Sequence, residues 1–416
     1  MSGYPPPPAW ARGLRSIGVT GTNGKTSTTT YVAAALAELE QPVAWVTTVG
    51  AGVGDPRHDP DRPPPDDHGQ FLALMDELRV RGGHWAAIEA TSASLGLGFA
   101  RAWPCTIAVF TNLGHDHIRT HGSAEHYLAS KAQLFVNLPP GGTAVLNAGD
   151  PNAALIAEIV PDHASILWFA GPERALDRAV DLRVLRADPD WSGLEVEFEL
   201  APTIAGRPGP NTLRLHNPAA IQAENFAAAL LAAIAAGMPA SLAAEAIARC
   251  PAPPGRFEAM HVQGEAGPRV VVDYAHDADA LRSLLGDARR LSTGALVLVF
   301  GAGGGTDAGK RLPMGIAAGL ADRVWLTSDN PRDEDPAVIA QALRAGIPTD
   351  LPCRVELDRA RAITQAIAQA GPEDLVVISG KGHESVQIIG SRPQPCSDRE
   401  IAERCLAARE SIPEST

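Results

Sequence analysis

The sequence predicts an α/β protein of two domains, each built around a parallel sheet. Three observations predict it. Short runs rich in Val, Ile and Ala alternate with Ala-rich helical stretches, the pattern of strands joined by crossover helices. At 416 residues the chain is longer than one ordinary core serves. The alternation halts at the Pro-rich stretch PAPPGRFEAM, residues 251–260, and restarts behind it.

Taken in order, strands are predicted over 16–20, 43–48, 85–89, 106–111 and 142–147, most of them followed by helix-compatible residues. Residues 182–200, LRVLRADPDWSGLEVEFEL, alternate as an antiparallel hairpin or meander does. A long Ala/Leu helix follows over 219–238, broken before GMPASLAAEAIARC, which carries a second helix. Beyond the linker, strands are predicted over 270–273, 295–300, 323–327 and 375–379, with helices between them. The domain limits read as 16–252 and 253–416, preceded by a lead-in, 1–15, expected to be disordered around its PPPP run. The stretch GDPRHDPDRPPPDDHG, 54–69, is either a solvated loop or a set of carboxylates facing a cation.

Composition narrows the function classes. A net charge of −13 leaves no excess of cations to neutralise a nucleic-acid backbone. The five cysteines are scattered without a C-x-x-C pair, which suggests neither a disulfide framework nor a zinc site. No apolar stretch reaches the length of about 18 residues that a membrane span needs. The opening MSGYPPPPAWARG lacks the apolar middle of a signal peptide, so a cytoplasmic location is expected.

Three stretches carry chemistry. In SIGVTGTNGKTSTTTYVAAAL, residues 16–36, a strand feeds a Gly-rich turn and a helix. Gly21, Thr22, Asn23 and Gly24 offer backbone N–H groups to phosphate, Lys25 a cation, and Thr26 and Ser27 hydroxyls, with Thr26 suited to Mg2+. The usual spacing wants a further glycine where Val19 stands. In IEATSAS, 88–94, Glu89 closes an apolar strand, so its carboxylate faces either the ligand crevice of an open sheet or solvent. In FTNLGHDHIRTHGSAEHYLASKAQLF, 110–135, Asn112, Asp116 and His117 follow a strand end and Lys131 lies on the next helix. Histidine and carboxylates beside a nucleotide suggest Mg2+ ligation, though imidazole is an unusual magnesium partner.

These stretches, followed in order by PGRFE, VVVDYAHDADAL, VFGAGGGTDAGKRLPMG, SDNPRDEDP, SGKGHESVQ and CSDRE, resemble the Mur ligase family, specifically the branch that adds the third amino acid of the cell-wall peptide. The resemblance runs from residue 16 to about residue 410. It implies a P-loop parallel-sheet ATPase domain followed by a Rossmann-like C-terminal domain that selects the amino acid. It also implies the reaction: ATP phosphorylates a carboxylate, and an amino-acid amine attacks the acyl phosphate to give an amide.

Roles follow from the matching positions. Lys25, Asn112, His117 and Lys131 form the implied catalytic set. Thr26, Glu89, His117 and Lys131 are the implied metal ligands, with Lys131 carrying CO2 as a carbamate or, alternatively, lying along the surface of its helix. Asn225, Arg256, Asp273 and His276 are implied to contact ATP, while the spacing around Asn217 departs from the pattern. Asp307, Lys310 and Arg311 form a charged turn that serves either ligand or structure. Asp329, Asn330, Pro331, Arg332, Gly380 and Glu384 match the amino-acid site, where an Arg fork beside a Glu suits a zwitterionic end. A site shared by two domains implies closure that excludes water.

Two departures bear on the substrates. Thr306 stands where the family has an arginine that clamps the amino acid's distal carboxylate. Ala93, Leu97 and Phe99 replace residues expected to contact the muramoyl peptide, and only fifteen residues precede Ser16, too few for the family's uridine-binding domain. The expectation is therefore a ligase whose carboxylate substrate, small molecule, peptide end or polymer, is not the usual uridine-linked muramoyl dipeptide. The alternatives are the usual ligation with a separate partner protein delivering the acceptor, and a noncatalytic ATP-binding scaffold.

Overall fold

The computed structural model describes residues 4–55, 62–114, 123–172, 177–205, 209–260, 267–305 and 307–410. They fall into two compact units, 4–114 with 123–253, and 254–410.

The first unit is organised by a ten-stranded sheet. Its strands are β1 (Arg15–Thr20), β2 (Val43–Thr47), β3 (Gly50–Gly54), β4 (Trp85–Glu89), β5 (Ile107–Phe110), β6 (Thr143–Asn147), β7 (Ser165–Ala170), β8 (Leu182–Asp190), β9 (Gly193–Leu200) and β10 (Asn211–Leu215). They lie in the order β10-β9-β8-β7-β6-β5-β1-β4-β2-β3. From β2 to β8 every neighbouring pair is parallel. The hairpin predicted over 182–200 is the antiparallel β8–β9 pair.

Parallel strands buried on both faces should be apolar throughout. They are: β5 reads Ile-Ala-Val-Phe, all buried. Its alternate residues serve opposite sides. Ile107 and Val109 join a core with the helices Lys25–Leu39, Ile221–Ala235 and Ala240–Ala248. Ala108 and Phe110 join one with the helices His68–Val80, Ala124–Val136 and Asn152–Glu158. The Ala-rich face of Ile221–Ala235 allows close approach to Lys25–Leu39, which fixes the phosphate-loop helix against the sheet.

The lead-in departs from expectation. Tyr4, Trp10, Ala11 and Leu14 pack on the second of these cores, and the Tyr4 ring lies 4.8 Å from that of His68 and 6.2 Å from that of Phe99. A proline-rich segment loses little entropy on ordering, so two aromatic anchors suffice to hold it. In the 54–69 stretch, the described end is structural: Asp67 caps the helix His68–Val80 by accepting from Gln70 N (2.8 Å), and Arg62 pairs with Glu77 at 2.8 Å.

The second unit holds a six-stranded sheet of β11 (Glu258–Met260), β12 (Arg269–Asp273), β13 (Leu296–Phe300), β14 (Arg323–Leu326), β15 (Cys353–Val355) and β16 (Leu375–Ser379), ordered β11-β12-β16-β13-β14-β15. All its pairs are parallel except β11–β12. Asp277, Asp335 and Asp358 each begin a helix by accepting a backbone N–H, which places three helix starts after the strands as the sequence pattern requires. A small ribbon, β17 (Val386–Ile389) with β18 (Arg392–Pro395), completes it. The α/β class read from the sequence is the class observed.

Candidate active site

The phosphate loop follows β1. Gly24 has φ +83°, and a Cβ there would collide with Asn225 Oδ1; one at Gly21 would collide with Thr111 Oγ1. Only glycine permits these approaches, so the loop lies flat between a helix and the segment after β5. Behind it the helix Lys25–Leu39 begins. The first-turn N–H groups of any helix lie beyond the reach of its own carbonyls, an arrangement suited to anions. Lys25 Nζ donates to Thr22 O at 2.7 Å, across the loop.

Glu89 is buried, not solvent-facing. Strand β4 sits beside β1 with Val19 opposite Glu89, which brings the carboxylate level with the loop. Glu89 Oε2 accepts from Thr26 Oγ1 (3.0 Å) and from Thr48 N (3.0 Å), and the hydroxyls of Thr26 and Thr48 lie 3.3 Å apart. A hydroxyl and a carboxylate side by side are hard oxygen donors, the ligand type Mg2+ prefers, so the residues present fit that ion. Among the described residues no three His, Cys, Asp or Glu side chains converge as a metal cluster. His117, with Asp116, lies outside the described residues.

Lys131 is 1% exposed, which removes the surface alternative. Its Nζ donates to Gly21 O at 2.6 Å and stands 4.2 Å over the Tyr127 ring. Tyr127 in turn shares a hydrogen bond with Thr22 Oγ1 (3.3 Å), which also accepts from Gly114 N (2.8 Å). Asn112 clasps the loop from the same side: Oδ1 accepts from Asn23 N (2.9 Å), Nδ2 donates to Asn23 O (3.2 Å), and its carbonyl accepts from Thr22 N (2.8 Å). Its visible role is to position the loop. Ser27 and Asn225 face inward: Ser27 Oγ accepts from Gln222 Nε2 at 3.5 Å, and Asn225, 2% exposed, accepts from Thr28 Oγ1 at 3.3 Å and donates to Gln222 Oε1 at 3.1 Å. Asn217 caps its turn, accepting from Ala219 N at 3.0 Å.

The residues flanking Glu89 divide. Ala93 and Leu97 are exposed around the short helix Ser92–Gly96, whereas Phe99 turns inward and meets Phe71 edge to face at 5.2 Å. The expectation that all three replace substrate contacts is corrected for Phe99, whose apolar ring is drawn into the aromatic cluster with Tyr4, Phe71 and Trp103.

In the second unit Asp273 ends β12 and accepts from Phe257 N and Ala275 N, both at 2.7 Å. Burial pushes its carboxyl above the usual range, against the pull of Arg256 and these N–H groups. Tyr274 is the hub there: Arg256 lies 4.5 Å over its ring, and His276 and His383 pack against it at 4.7 and 5.3 Å. The Nδ1–H of His276 donates to Tyr274 O at 2.9 Å.

The predicted amino-acid residues gather around β14, β16 and β17. Asn330 Nδ2 donates to Glu384 Oε2 (3.0 Å), and its Oδ1 accepts from Ile388 N (2.9 Å). Arg332 has φ +51°, a strained value for a residue with a long side chain, and its guanidinium donates to Gly304 O at 2.6 Å. A Cβ at Gly304 would collide with Pro331 O, and one at Gly380 with Asp329 Oδ2. The charged turn resolves toward structure: Asp307 accepts from Gly309 N (2.9 Å), and buried Arg311 pairs with Glu334 at 2.7 Å. Thr306 lies outside the described residues.

Sequence reading missed Thr48, Tyr127, Tyr274, Lys381 and the fully buried pair Arg359–Asp398 (2.6 Å). Asp398 lies in the CSDRE stretch, which was legible as a motif without a role. Asn147, donating to Thr111 O (2.8 Å) and Glu224 Oε2 (2.9 Å), was also missed; a polar residue at the end of an apolar strand was its only signal.

Comparison with known proteins agrees with this architecture. The family model for the Mur ligase middle domain matches residues 19–233, and that for the Mur ligase glutamate ligase domain matches 255–382. The UDP-N-acetylmuramoyl-L-alanyl-D-glutamate--2,6-diaminopimelate ligase of Thermosynechococcus vestitus is 36% identical over 402 residues, covering 95% of this chain and 77% of that protein. Its namesake in Alkalilimnicola ehrlichii is 38% identical over 401 residues, with coverage of 95% and 77%. A solved structure of a ligase of that same name superposes with TM-score 0.64 at 31% identity, covering 96% of this chain and 80% of that one. The folylpolyglutamate synthase of Mycobacterium tuberculosis, at 20% identity, shares the fold with TM-score 0.68 over 89% of each chain.

Proposed function

The chain belongs to the Mur ligase family, whose activity is ATP-dependent peptide ligation, and from that premise we propose that it joins an amino-acid amine to a carboxylate through an acyl phosphate, with ADP and phosphate as co-products. The observation that carries this reading is the convergence of Lys25, Thr26, Glu89 and Lys131 on one glycine loop. Two anions, a carboxylate and a terminal phosphate, must meet there, and fixed donors and cations are what lower the cost of that approach.

Lys25 and the N–H groups opening its helix bind and screen the phosphates. Thr26 and Glu89 would hold Mg2+, which supplies charge neutralisation between the phosphate oxygens. Lys131 is the proposed carbamate bearer: after its ammonium gives one proton to solvent, the amine lone pair forms an N–C bond to CO2 as one C–O π bond opens, and a second proton leaves. The one remaining N–H would still serve Gly21 O, and the carbamate would supply two anionic oxygen donors. In the second unit Asn330, Arg332 and Glu384 are proposed to read the amino acid, and Arg256, Asp273 and His276 to meet the nucleotide.

The carboxylate substrate is proposed to differ from the muramoyl dipeptide, because Ala93 and Leu97 present apolar surface beside Glu89's strand. The second reading, ligation to the uridine-linked dipeptide, is favoured by the names of relatives at 36% and 38% identity. One matrix of amino acids against carboxylates, read by ADP formation and product mass, separates the two. Carboxyl-18O-labelled acid should pass its label to the released phosphate; product without labelled phosphate refutes the acyl phosphate.

A further inference from the structure

Lys381 is fully buried, and each of its three N–H protons is matched by an acceptor: Glu384 Oε2 at 2.9 Å, Asn330 Oδ1 at 3.3 Å and Val386 O at 2.6 Å. No proton is left for a ligand, so the ammonium touches neither nucleotide nor amino acid. Stability alone gives no reason for it, since apolar residues of similar volume commonly replace a buried ion pair without loss. What it does hold is geometry. Glu384 Oε2 takes both Lys381 and Asn330 Nδ2 (3.0 Å), which fixes the carboxylate's rotation and leaves Oε1 with no hydrogen bond among the described residues. Glu384 keeps 29% of its side chain exposed while Lys381 keeps none. Asn330, with Lys381 and Ile388 N on its Oδ1, has one N–H of its amide turned to Glu384.

We infer that Lys381 is the positioning residue of the proposed amino-acid site: it fixes the rotation of Glu384 and so the direction of Oε1, the atom that the proposed reading turns to the side-chain ammonium of an incoming diamino acid. The inference rests on the proposed reading of Glu384 as part of that site. It also assigns Asn330 to orienting Glu384, through Nδ2, ahead of any contact of its own.

The test uses the whole chain and steady-state ADP formation with paired amines: lysine against norleucine, ornithine against norvaline, and 2,6-diaminopimelate against 2-aminopimelate. Wild type should prefer the member with the second amine. Lys381→Met should raise KM for that member about tenfold or more, the loss of a charge-assisted hydrogen-bond network, while KM for ATP stays within about twofold. Its preference within each pair should fall toward one. A structural defect alone would slow both members equally, and that result overturns the inference, as does an unchanged KM. Should Lys381→Met fail to fold by circular dichroism, Lys381→Gln keeps two of the three N–H donors without the charge and is expected to lose part of the preference; full preference in that variant also overturns it. Wild type that turns over without preference refutes the inference alone. Wild type inactive with every amine refutes the ligase reading, and the inference with it.

Discussion

Replacing Asp398 by Asn tests how the floor of the proposed amino-acid site is held. Arg359 lies with Asp398 where both side chains are 0% exposed, joined by Nε to Oδ1 at 2.7 Å and by a terminal nitrogen to Oδ2 at 2.6 Å. The remaining guanidinium donors reach Ser328 O (3.3 Å) and Ser379 O (3.0 Å), the residues immediately before Asp329 and Gly380. Burial opposes this charge, yet Asp398 outweighs it and holds the guanidinium's pKa above its ordinary value. The amide introduced by Asp398→Asn would set an N–H2 group against the fork and leave the cation uncompensated. Breaking such a pair costs about 3–5 kcal/mol. Asp329, close enough to attract Arg359, keeps the loss toward the lower end. Asp398 also opens the helix Asp398–Glu410, and its charge there is worth a further ~0.5 kcal/mol. The sum, about 3–4 kcal/mol, corresponds to a fall of roughly 10 °C in Tm. Thermal unfolding by calorimetry checks it, and amine KM should rise along with it. A loss below about 1 kcal/mol refutes the reasoning. The double variant Arg359→Met/Asp398→Leu should recover most of the stability, which separates an unpaired charge from simple damage to packing.

Other substitutions test the remaining parts. Gly24→Ala forces a left-handed backbone and a collision with Asn225, so ATP-analogue affinity by titration calorimetry should fall about tenfold or more; affinity within about twofold would remove the loop as the nucleotide site. Lys131→Ala should reduce turnover by about 10²–10³-fold, with no rescue by bicarbonate and partial rescue by formate or other short acids that restore an oxygen ligand; failure of acid rescue counts against the carbamate. Arg332→Ala should raise KM for the amine and leave KM for ATP unchanged, whereas Arg332→Gly, relieved of φ +51°, should be more stable than the Ala variant by about 1 kcal/mol in urea titration. For Asp273, burial raises the folded-state pKa above the unfolded one, so the folded chain binds the extra proton. Its contribution is present below the ordinary carboxylate range and lost as pH rises through the raised value. The stability of wild type minus that of Asp273→Asn should therefore decline as pH rises above the ordinary carboxylate range; a rise would reverse the assigned direction.

Local signals carried most of the fold. Strands β4 and β16 fall where four apolar residues closed by a polar one predicted them. The glycine loop was legible because its constraint is local: φ and the start of a helix belong to neighbouring residues. What escaped depends on partners distant in sequence. Tyr4 orders a proline-rich lead-in only because Phe99 and His68 arrive from elsewhere. Phe99 itself sits in a run that reads as substrate-facing, yet its ring points to Phe71, and no spacing rule gives that direction. Arg359 and Asp398 are ordinary helix-start residues until the fold buries both.

Asn112 and Asn330 solve the same physical problem in the two units. Each follows a sheet strand, and each must accept and donate at one point. Asn112 accepts from Asn23 N and donates to Asn23 O; Asn330 accepts from Lys381 and Ile388 N and donates to Glu384. A carboxylate could do only the accepting half and would face a carbonyl or another carboxylate with the rest; an apolar isostere would strand buried partners at about 1–3 kcal/mol each. The amide offers both, and from two separate atoms. A loop held by a single donor or acceptor can rotate about it, whereas one held through both edges of an amide cannot. A charge-handling site needs that fixity, since reorganisation during the reaction would consume the stabilisation its dipoles provide. In each unit, then, the chemical competence proposed for the charged groups depends as much on the neutral asparagine that holds their surroundings in place as on the groups themselves.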